Sequence, residues 1–543
     1  MRERSEAVLA DVVRSRAERT PDFGVVTFEH ASLDGGATPD EVCSYAALAE
    51  AGNRIAAALV ARGMQRGDRF ALMMRNHPEF VETMIAASIT GTVFVPIDPR
   101  TRRDKLAFQL RDAGCRGAIC ADYALPELLA ARAEAPALEW VLALDSGEEP
   151  DAPRLGDVRG VLPLREALDT PAATVDVRLE SADDPLQILF TSGTTGDPKG
   201  VVWPNARFGA FAGLGALLGY RSGERPYTGL SLTHGNAQAV TLGPALALGL
   251  RAVLSRRFTK SKLWSVCRLH GCTTFSMLGG MATAIYGEAP RPNDRQHDVR
   301  FVVSAGMPPT LWRAFEQRFG VAIFEWYGAV EGGLAMRPIG QGPIGSFGKP
   351  LPGLEMKILD DDDRECPPGV QGEICSRPAG GRAAVEYHGK PEASAAKTRG
   401  GWLRSGDIGH ADADGWLFFD YRKGGGIRRS GEFVHPGFVE KVIAEHPAVT
   451  DVFVYGVPAA SGAPGEKDVV AAIVPAPGVR WGSLVTASVF EHCRKALEPS
   501  CVPSWLQIVD EIPKTASEKP QERFLLDRFF APGAPGVVRE ERA

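Results

Sequence analysis

Apolar and polar positions change period along the chain, and the changes sort it into alternating helices and strands. Residues 7–21 place Val8, Leu9, Val12 and Val13 on one face of a helix. Ser44-Tyr45-Ala46-Ala47-Leu48 opens a second helix that continues from Ile55 to Val60. Gly67-Asp68-Arg69 turns it into a strand, Phe70 to Met74. Asn76-His77-Pro78-Glu79 starts the next helix, Gly91 ends it, and Val93 to Ile97 is the following strand. His77, at a helix start, is expected to cap it or to face solvent. A helix from Lys105 to Leu110 and a strand from Gly117 to Cys120 come next, then a Gly/Asp/Glu/Pro stretch at 145–160 that reads as an exposed connection. Strands alternating with helices predict a parallel, doubly wound α/β sheet. Later segments read as strands at Phe301 to Val303, and as β-hairpin pieces at Gly342 to Pro350 and Gly369 to Ile374. From 434 onward the pattern is compact α+β: helix 437–446, strands at Val452 to Val457 and Val469 to Val474, helix 484–497.

Length requires more than one core, since 543 residues exceed what a single domain holds. A net charge of -6 leaves no electrostatic footprint for nucleic acid. No apolar run approaches the roughly 20 residues that span a bilayer, and the charged N-terminus lacks the apolar core of a signal peptide. Nine cysteines lie scattered without CxxC pairs, so structural thiols in a reducing cytoplasm are expected rather than zinc sites or disulfides. The acidic run at 360–363 lacks EF-hand spacing and reads as a solvated turn.

One loop carries distinct chemistry. The strand Leu186-Gln187-Ile188-Leu189-Phe190 feeds Thr191-Ser192-Gly193-Thr194-Thr195-Gly196-Asp197-Pro198-Lys199-Gly200. Glycines let backbone N–H groups close on an anion, hydroxyls add donors, and Lys199 adds a mobile positive charge. This is a polyphosphate loop by chemistry, but its spacing is not that of the Walker motif.

TSGTTGDPKG resembles the signature loop of the adenylate-forming superfamily, which includes acyl-CoA synthetases and adenylation domains. Further motifs follow in family order from about residue 7 to 526: Ser304-Ala305-Gly306, Trp326-Tyr327-Gly328-Ala329-Val330-Glu331, Ser405-Gly406-Asp407, Arg422, and Pro513-Lys514-Thr515-Ala516-Ser517-Glu518-Lys519. His234-Gly235-Asn236-Ala237-Gln238 is most like the crotonobetaine/carnitine–CoA ligase-like branch, and lacks the Asp that amino-acid-activating domains use.

The resemblance implies the rest. The fold would be a large N-terminal domain of doubly wound sheets plus a β-barrel-like subdomain, residues 1–423, and a small mobile α+β C-terminal domain, residues 424–543. Thr191, Ser192, Gly193, Thr194, Thr195, Gly196 and Lys199 would hold phosphates. Ser304, Ala305, Gly306, Trp326, Tyr327 and Gly328 would border adenine, and Asp407 with Arg422 would take the ribose. Glu331 would hold Mg²⁺, and Lys519 would neutralise charge during adenylation, with Thr191 and His234 also catalytic or aligning. His234, Asn236 and Gly332 would line the acyl pocket, where Gly235, Gly332 and Gly333 suggest room for a bulky acid. Gly424 would be the hinge, and Arg428 and Gly431 would border the CoA tunnel. Three positions depart from the pattern: Val330 replaces a Thr, Gly424-Gly425 replaces the usual hinge pair, and Glu518 replaces a Gly.

The expected reaction joins a small-molecule carboxylic acid to coenzyme A through an acyl-adenylate, releasing AMP and pyrophosphate, with ATP and CoA as co-substrates. Two other readings remain open: loading of a carrier protein, and a nucleotide-binding homologue that has lost catalysis. A homodimer is compatible with all of them, and nothing in the sequence fixes the oligomeric state.

Overall fold

The computed structural model describes residues 3–148, 154–169, 173–191, 198–423, 427–429, 432–434, 436–459, 467–497, 499–515, 518, 520–534 and 536–539. The chain forms two compact units: Met1–Ser276 with His297–Val299 and Ala384–Lys397, and Met277–Gln296 with Arg300–Ala383 and Thr398–Ala543.

The first unit follows its hydrophobic pattern closely. The amphipathic segment at 7–21 is the helix Leu9–Arg19, and the second helix is Tyr45–Ala61, capped by Ser44 Oγ accepting from Ala47 N at 3.2 Å. Helix Pro78–Thr90 ends at Gly91, whose φ of 70° is the left-handed stop that glycine permits. Between and beyond these helices runs a seven-stranded sheet. Its order is Val161–Pro163, Trp140–Leu144, Cys115–Ala121, Arg69–Met73, Val93–Pro96, Pro185–Phe190, Gly200–Pro204, parallel except for the antiparallel last pair. Val93–Pro96 is buried throughout, as expected for a strand covered on both faces. A second ladder pairs Gly24–Glu29 with Ala252–Ser255 in parallel and with Glu41–Ser44 in antiparallel fashion.

His77 occupies the N-cap position, but its side chain neither caps the helix nor faces solvent. It is buried, its Nε2 lies 3.0 Å from the Tyr123 hydroxyl, and burial holds its pKa well below the usual value. The helix start at Pro78 packs inward, so the residue before it goes into the core.

In the second unit, Phe301–Ala305 pairs in parallel with Ala322–Gly328. An antiparallel succession then runs through Leu334–Arg337, Ser346–Pro350, Leu417–Arg422, Leu403–Ala411, Gly372–Pro378 and Leu354–Leu359. The resemblance implies a β-barrel-like subdomain in this region, and the strands form this antiparallel succession. The acidic turn at 360–363 is indeed exposed, and Asp363 pairs with Arg399 at 2.7 Å and also with Arg404. Beyond it, a four-stranded sheet of Val449–Pro458, Lys467–Pro475, Trp505–Ile508 and Val537–Arg539 packs with helices Pro436–Ala444 and Ser483–Ala496 around Val439, Ile443, Val454, Ile473, Val489 and Leu506. None of the nine cysteines is in a disulfide. Among the described residues no helix is long and apolar enough to cross a membrane.

Candidate active site

In the first unit the phosphate-type loop is closed at its base. Thr191 N donates to Lys199 O at 2.9 Å, and Lys199 N donates to Thr191 Oγ1 at 3.3 Å. The antiparallel pair Phe190↔Gly200 continues the clamp. The Lys199 ammonium stands 5.4 Å from the centre of the Tyr387 ring. Ser192, Gly193, Thr194, Thr195 and Gly196 lie outside the described residues.

The strand Pro226–Thr228 is short, and Ala237–Leu242 forms a π-helix. His234 is half-buried, and its N–H donates to Ser231 O at 3.1 Å. Gly235 presses on an indole: a Cβ there would sit 2.6 Å from Trp203 Cη2. The room inferred from Gly235 is therefore already filled by Trp203. Gly332 and Gly333 are likewise glycines of necessity. Their φ values are 142° and 75°, and a Cβ on Gly333 would meet Ser376 Oγ at 2.7 Å, while one on Gly332 would meet Leu403 Cδ2 at 3.2 Å.

The second unit gathers the remaining predicted residues. Ser304 is buried at the end of its strand, and Gly306 takes φ 91°. A Cβ on Gly279 would lie 2.1 Å from Gly306 O, so two backbones touch where only glycine fits. Glu325, which the sequence reading passed over, holds this turn: its carboxylate accepts from Gly306 N and from Met307 N at 3.2 Å. Burial raises its pKa to about 8 against those bonds. The sequence signal was a carboxylate inside an otherwise apolar strand, where an unpaired charge is costly.

Two residues along the same strand, Tyr327 stacks on Phe347 with ring centres 4.5 Å apart and donates its hydroxyl to Asp407 Oδ2 at 2.6 Å. Burial, and then the adjacent carboxylate, hold that phenol well above its usual pKa, so it stays a donor. Arg422 is the Cα partner of Asp407 across the ladder and reaches Asp407 Oδ1 at 2.7 Å. Trp326 is buried under Gly328, and Glu331 is half-exposed in a turn closed by Ala329 N to Gly332 O at 3.2 Å and Gly332 N to Ala329 O at 3.1 Å. Among the described residues no cluster of three or more His, Cys, Asp or Glu could enclose a metal. The half-exposed Glu331 carboxylate fits Mg²⁺, which keeps waters and substrate phosphates as its other ligands.

The C-terminal motif folds into a clamped loop. Gln521 N donates to Pro513 O at 2.7 Å, Gln521 Nε2 to Lys514 O at 2.9 Å, and Lys514 pairs with Asp451 at 2.6 Å. Glu518 adopts φ 57°, a conformation that favours glycine, and its carbonyl oxygen lies 3.5 Å from where a Cβ on Gly280 would stand. Arg428 sits opposite Phe433 in a short hairpin. Lys519, Gly424 and Gly431 lie outside the described residues, as does the side chain of Arg428.

The first unit thus carries the closed base of a hydroxyl- and glycine-rich loop sequence, and the second carries a carboxylate held between a tyrosine and an arginine. Residues 13–381 match the AMP-binding enzyme family, and residues 439–519 match the AMP-binding enzyme C-terminal domain. The chain belongs to that family. It is 30% identical over 488 residues to the crotonobetaine/carnitine–CoA ligase of Salmonella paratyphi A, covering 88% of this chain and 91% of the relative. The fold is similar to that of an anthranilate CoA ligase in complex with anthranoyl-AMP, at TM-score 0.80 and 24% identity over 96% of each chain. It is also similar to a benzoate CoA ligase from Burkholderia xenovorans, at TM-score 0.77 and 22% identity over 95% of this chain and 99% of that one.

Proposed function

We propose that the protein is an AMP-forming acid–thiol ligase, which activates a carboxylic acid with ATP and transfers the acyl group to coenzyme A. The observation that carries this reading is the Tyr327–Asp407–Arg422 arrangement, in a chain matched by both parts of the family. A carboxylate offers two acceptor oxygens, which suits a ribose diol. Tyr327 and Arg422 hold both oxygens in place before the nucleotide arrives.

In the first half-reaction the acid's carboxylate oxygen attacks the α-phosphorus of ATP and pyrophosphate leaves. Thr191, Lys199 and the loop between them bind the phosphates, and Lys519 offsets the charge that builds on them. Glu331 would hold Mg²⁺, which would supply Lewis-acid neutralisation of that charge. Glu325 fixes the Gly306–Met307 backbone that borders adenine. In the second half-reaction the CoA thiolate attacks the acyl carbon and AMP leaves, so no protein nucleophile is needed. The segment from 424 onward is the mobile domain in this reading, turning at Gly424, with Arg428 and Gly431 beside the pantetheine path. His234, Asn236 and Gly332 border the acid. The protein works in the cytoplasm, where ATP and CoA are supplied.

Incubating the purified protein with ATP, Mg²⁺ and a pool of carboxylic acids, with and without CoA, tests the proposal by mass spectrometry. A CoA thioester together with AMP is expected. Acyl-adenylate that persists despite CoA would assign the acceptor role to a carrier protein instead. ATP bound without pyrophosphate release from any acid would favour a homologue that has lost catalysis, a reading motivated by Val330 in place of a hydroxyl donor.

A further inference from the structure

Three side-chain amides serve the segment that leads from Leu230 into the π-helix, and two of them are saturated. Asn76 donates to Leu230 O at 2.9 Å and to Ser255 O at 2.8 Å, while its oxygen accepts from Leu232 N at 2.8 Å. Gln238 exchanges bonds with Gln187 at 2.7 and 3.1 Å and donates to Leu232 O at 2.8 Å. Asn236 differs: both its Nδ2 and its Oδ1 are enclosed, and neither has a partner among the described residues. Buried polar atoms are nearly always paired, and an orphan calls for an explanation such as a water or a ligand. Here the surroundings satisfy every other amide, so general packing failure does not explain it.

Local geometry supports a ligand. Asn236 stands immediately before Ala237–Leu242, a π-helical stretch, and such stretches concentrate at functional sites. Its neighbour Gly235 lies flush on the Trp203 indole, which Phe211 meets edge-on at 6.0 Å and Arg207 covers at 4.2 Å. That ring is fixed from three sides. The backbone that carries Asn236 is thereby held against a fixed aromatic ring, with an unsatisfied neutral donor–acceptor pair next to it in sequence.

Building on the ligase reading, we propose that Asn236 is a specificity-determining residue, and that the preferred acid carries a neutral hydrogen-bonding substituent, a hydroxyl or a carbonyl, on an otherwise apolar body. A site built to bond a polar group rejects the analogue that lacks it far more strongly than an apolar pocket rejects an added group.

The experiment measures kcat/KM for pyrophosphate exchange with matched acids: benzoate against 3- and 4-hydroxybenzoate, cyclohexanecarboxylate against its 4-hydroxy and 4-oxo forms, and hexanoate against 6-hydroxyhexanoate. The wild type should favour a hydroxylated or oxo acid over its hydrocarbon parent by about tenfold or more. Asn236→Leu, which keeps the branched outline but removes both polar atoms, should abolish or invert that ratio, and Asn236→Thr should keep part of it, with the KM for ATP unchanged in both. A hydrocarbon preference in the wild type, or a ratio that survives Asn236→Leu, overturns the assignment while leaving the ligase reading intact. No exchange with any acid, from protein that still binds ATP, overturns the ligase reading and this assignment with it.

Discussion

At the scale of single residues, the ribose-type site is held by two bonds to one carboxylate, and each can be removed separately. A hydrogen bond to a charged group contributes about 1.5–3 kcal/mol, so Tyr327→Phe should raise the KM for ATP by roughly tenfold or more. The Phe347 stack remains in that variant and should preserve the fold. Asp407→Ala removes the acceptor itself and should cost at least about a hundredfold in kcat/KM for ATP, because it also leaves Arg422 unopposed. Steady-state kinetics at varied ATP check both, and a Tyr327→Phe enzyme with wild-type KM would show that the phenol does not shape the site. Glu518 is a second case. Its left-handed backbone costs a non-glycine residue about 1–2 kcal/mol. Glu518→Gly should therefore raise the melting temperature, by roughly 2–6 °C, at no cost in exchange activity. A fall in melting temperature would mean that the Glu518 side-chain contacts outweigh the backbone strain.

At the scale of elements, helix Pro78–Thr90 carries a pH-dependent cost. Glu82 has an enclosed Oε2 without a partner among the described residues, and burial, followed by the Glu79 and Glu41 charges, pushes it up to about 8 from 4.5. The folded state thus binds a proton that the unfolded chain has released, and stability falls as pH rises between those two values. Below pH 4.5 the penalty is absent; by pH 8 it is fully developed. Glu82→Gln should leave the melting temperature nearly unchanged at pH 5 and raise it by roughly 2–6 °C at pH 8. An equal shift at both pH values would assign the effect to packing rather than to ionisation. The same helix shows what the sequence could and could not reveal. Its boundaries were legible, because Pro78 and Gly91 act through backbone geometry that a residue name carries with it. The inward turn of His77 was not, because Tyr123 lies 46 positions away and only the sheet brings them together. In the same way, Asp407 and Arg422 were found by their motifs, whereas Glu325 and Trp203 acquire meaning only from the Gly306 turn and the Gly235 contact that they support. The glycines near the acid site misled for a related reason: a missing side chain looks like space until the neighbour that fills it is known.

At the scale of the whole molecule, a ligase of this kind must run two reactions that need opposite environments. Adenylation builds negative charge on phosphates and calls for an added cation, whereas thiolate attack on the acyl carbon requires room where that cation stood. One lysine on a segment that can leave would meet both needs: Gln521 N donates to Pro513 O across the ends of that segment, and Lys514 ties it to Asp451 in the strand Val449–Pro458, so that it would travel with that sheet. If Lys519 acts only in the first half-reaction, the two halves must separate on mutation. Lys519→Ala should lower acid-dependent pyrophosphate exchange by at least about a hundredfold, the range lost when one charge-stabilising donor is removed from such a site. The same variant, given synthetic acyl-adenylate and CoA, should release AMP and form thioester at close to the wild-type rate. Equal loss in both assays would place Lys519 in the shared nucleotide site rather than on a departing loop. Retention of exchange would remove it from the chemistry altogether and pass the role to Lys199, the lysine of the Thr191–Gly200 loop.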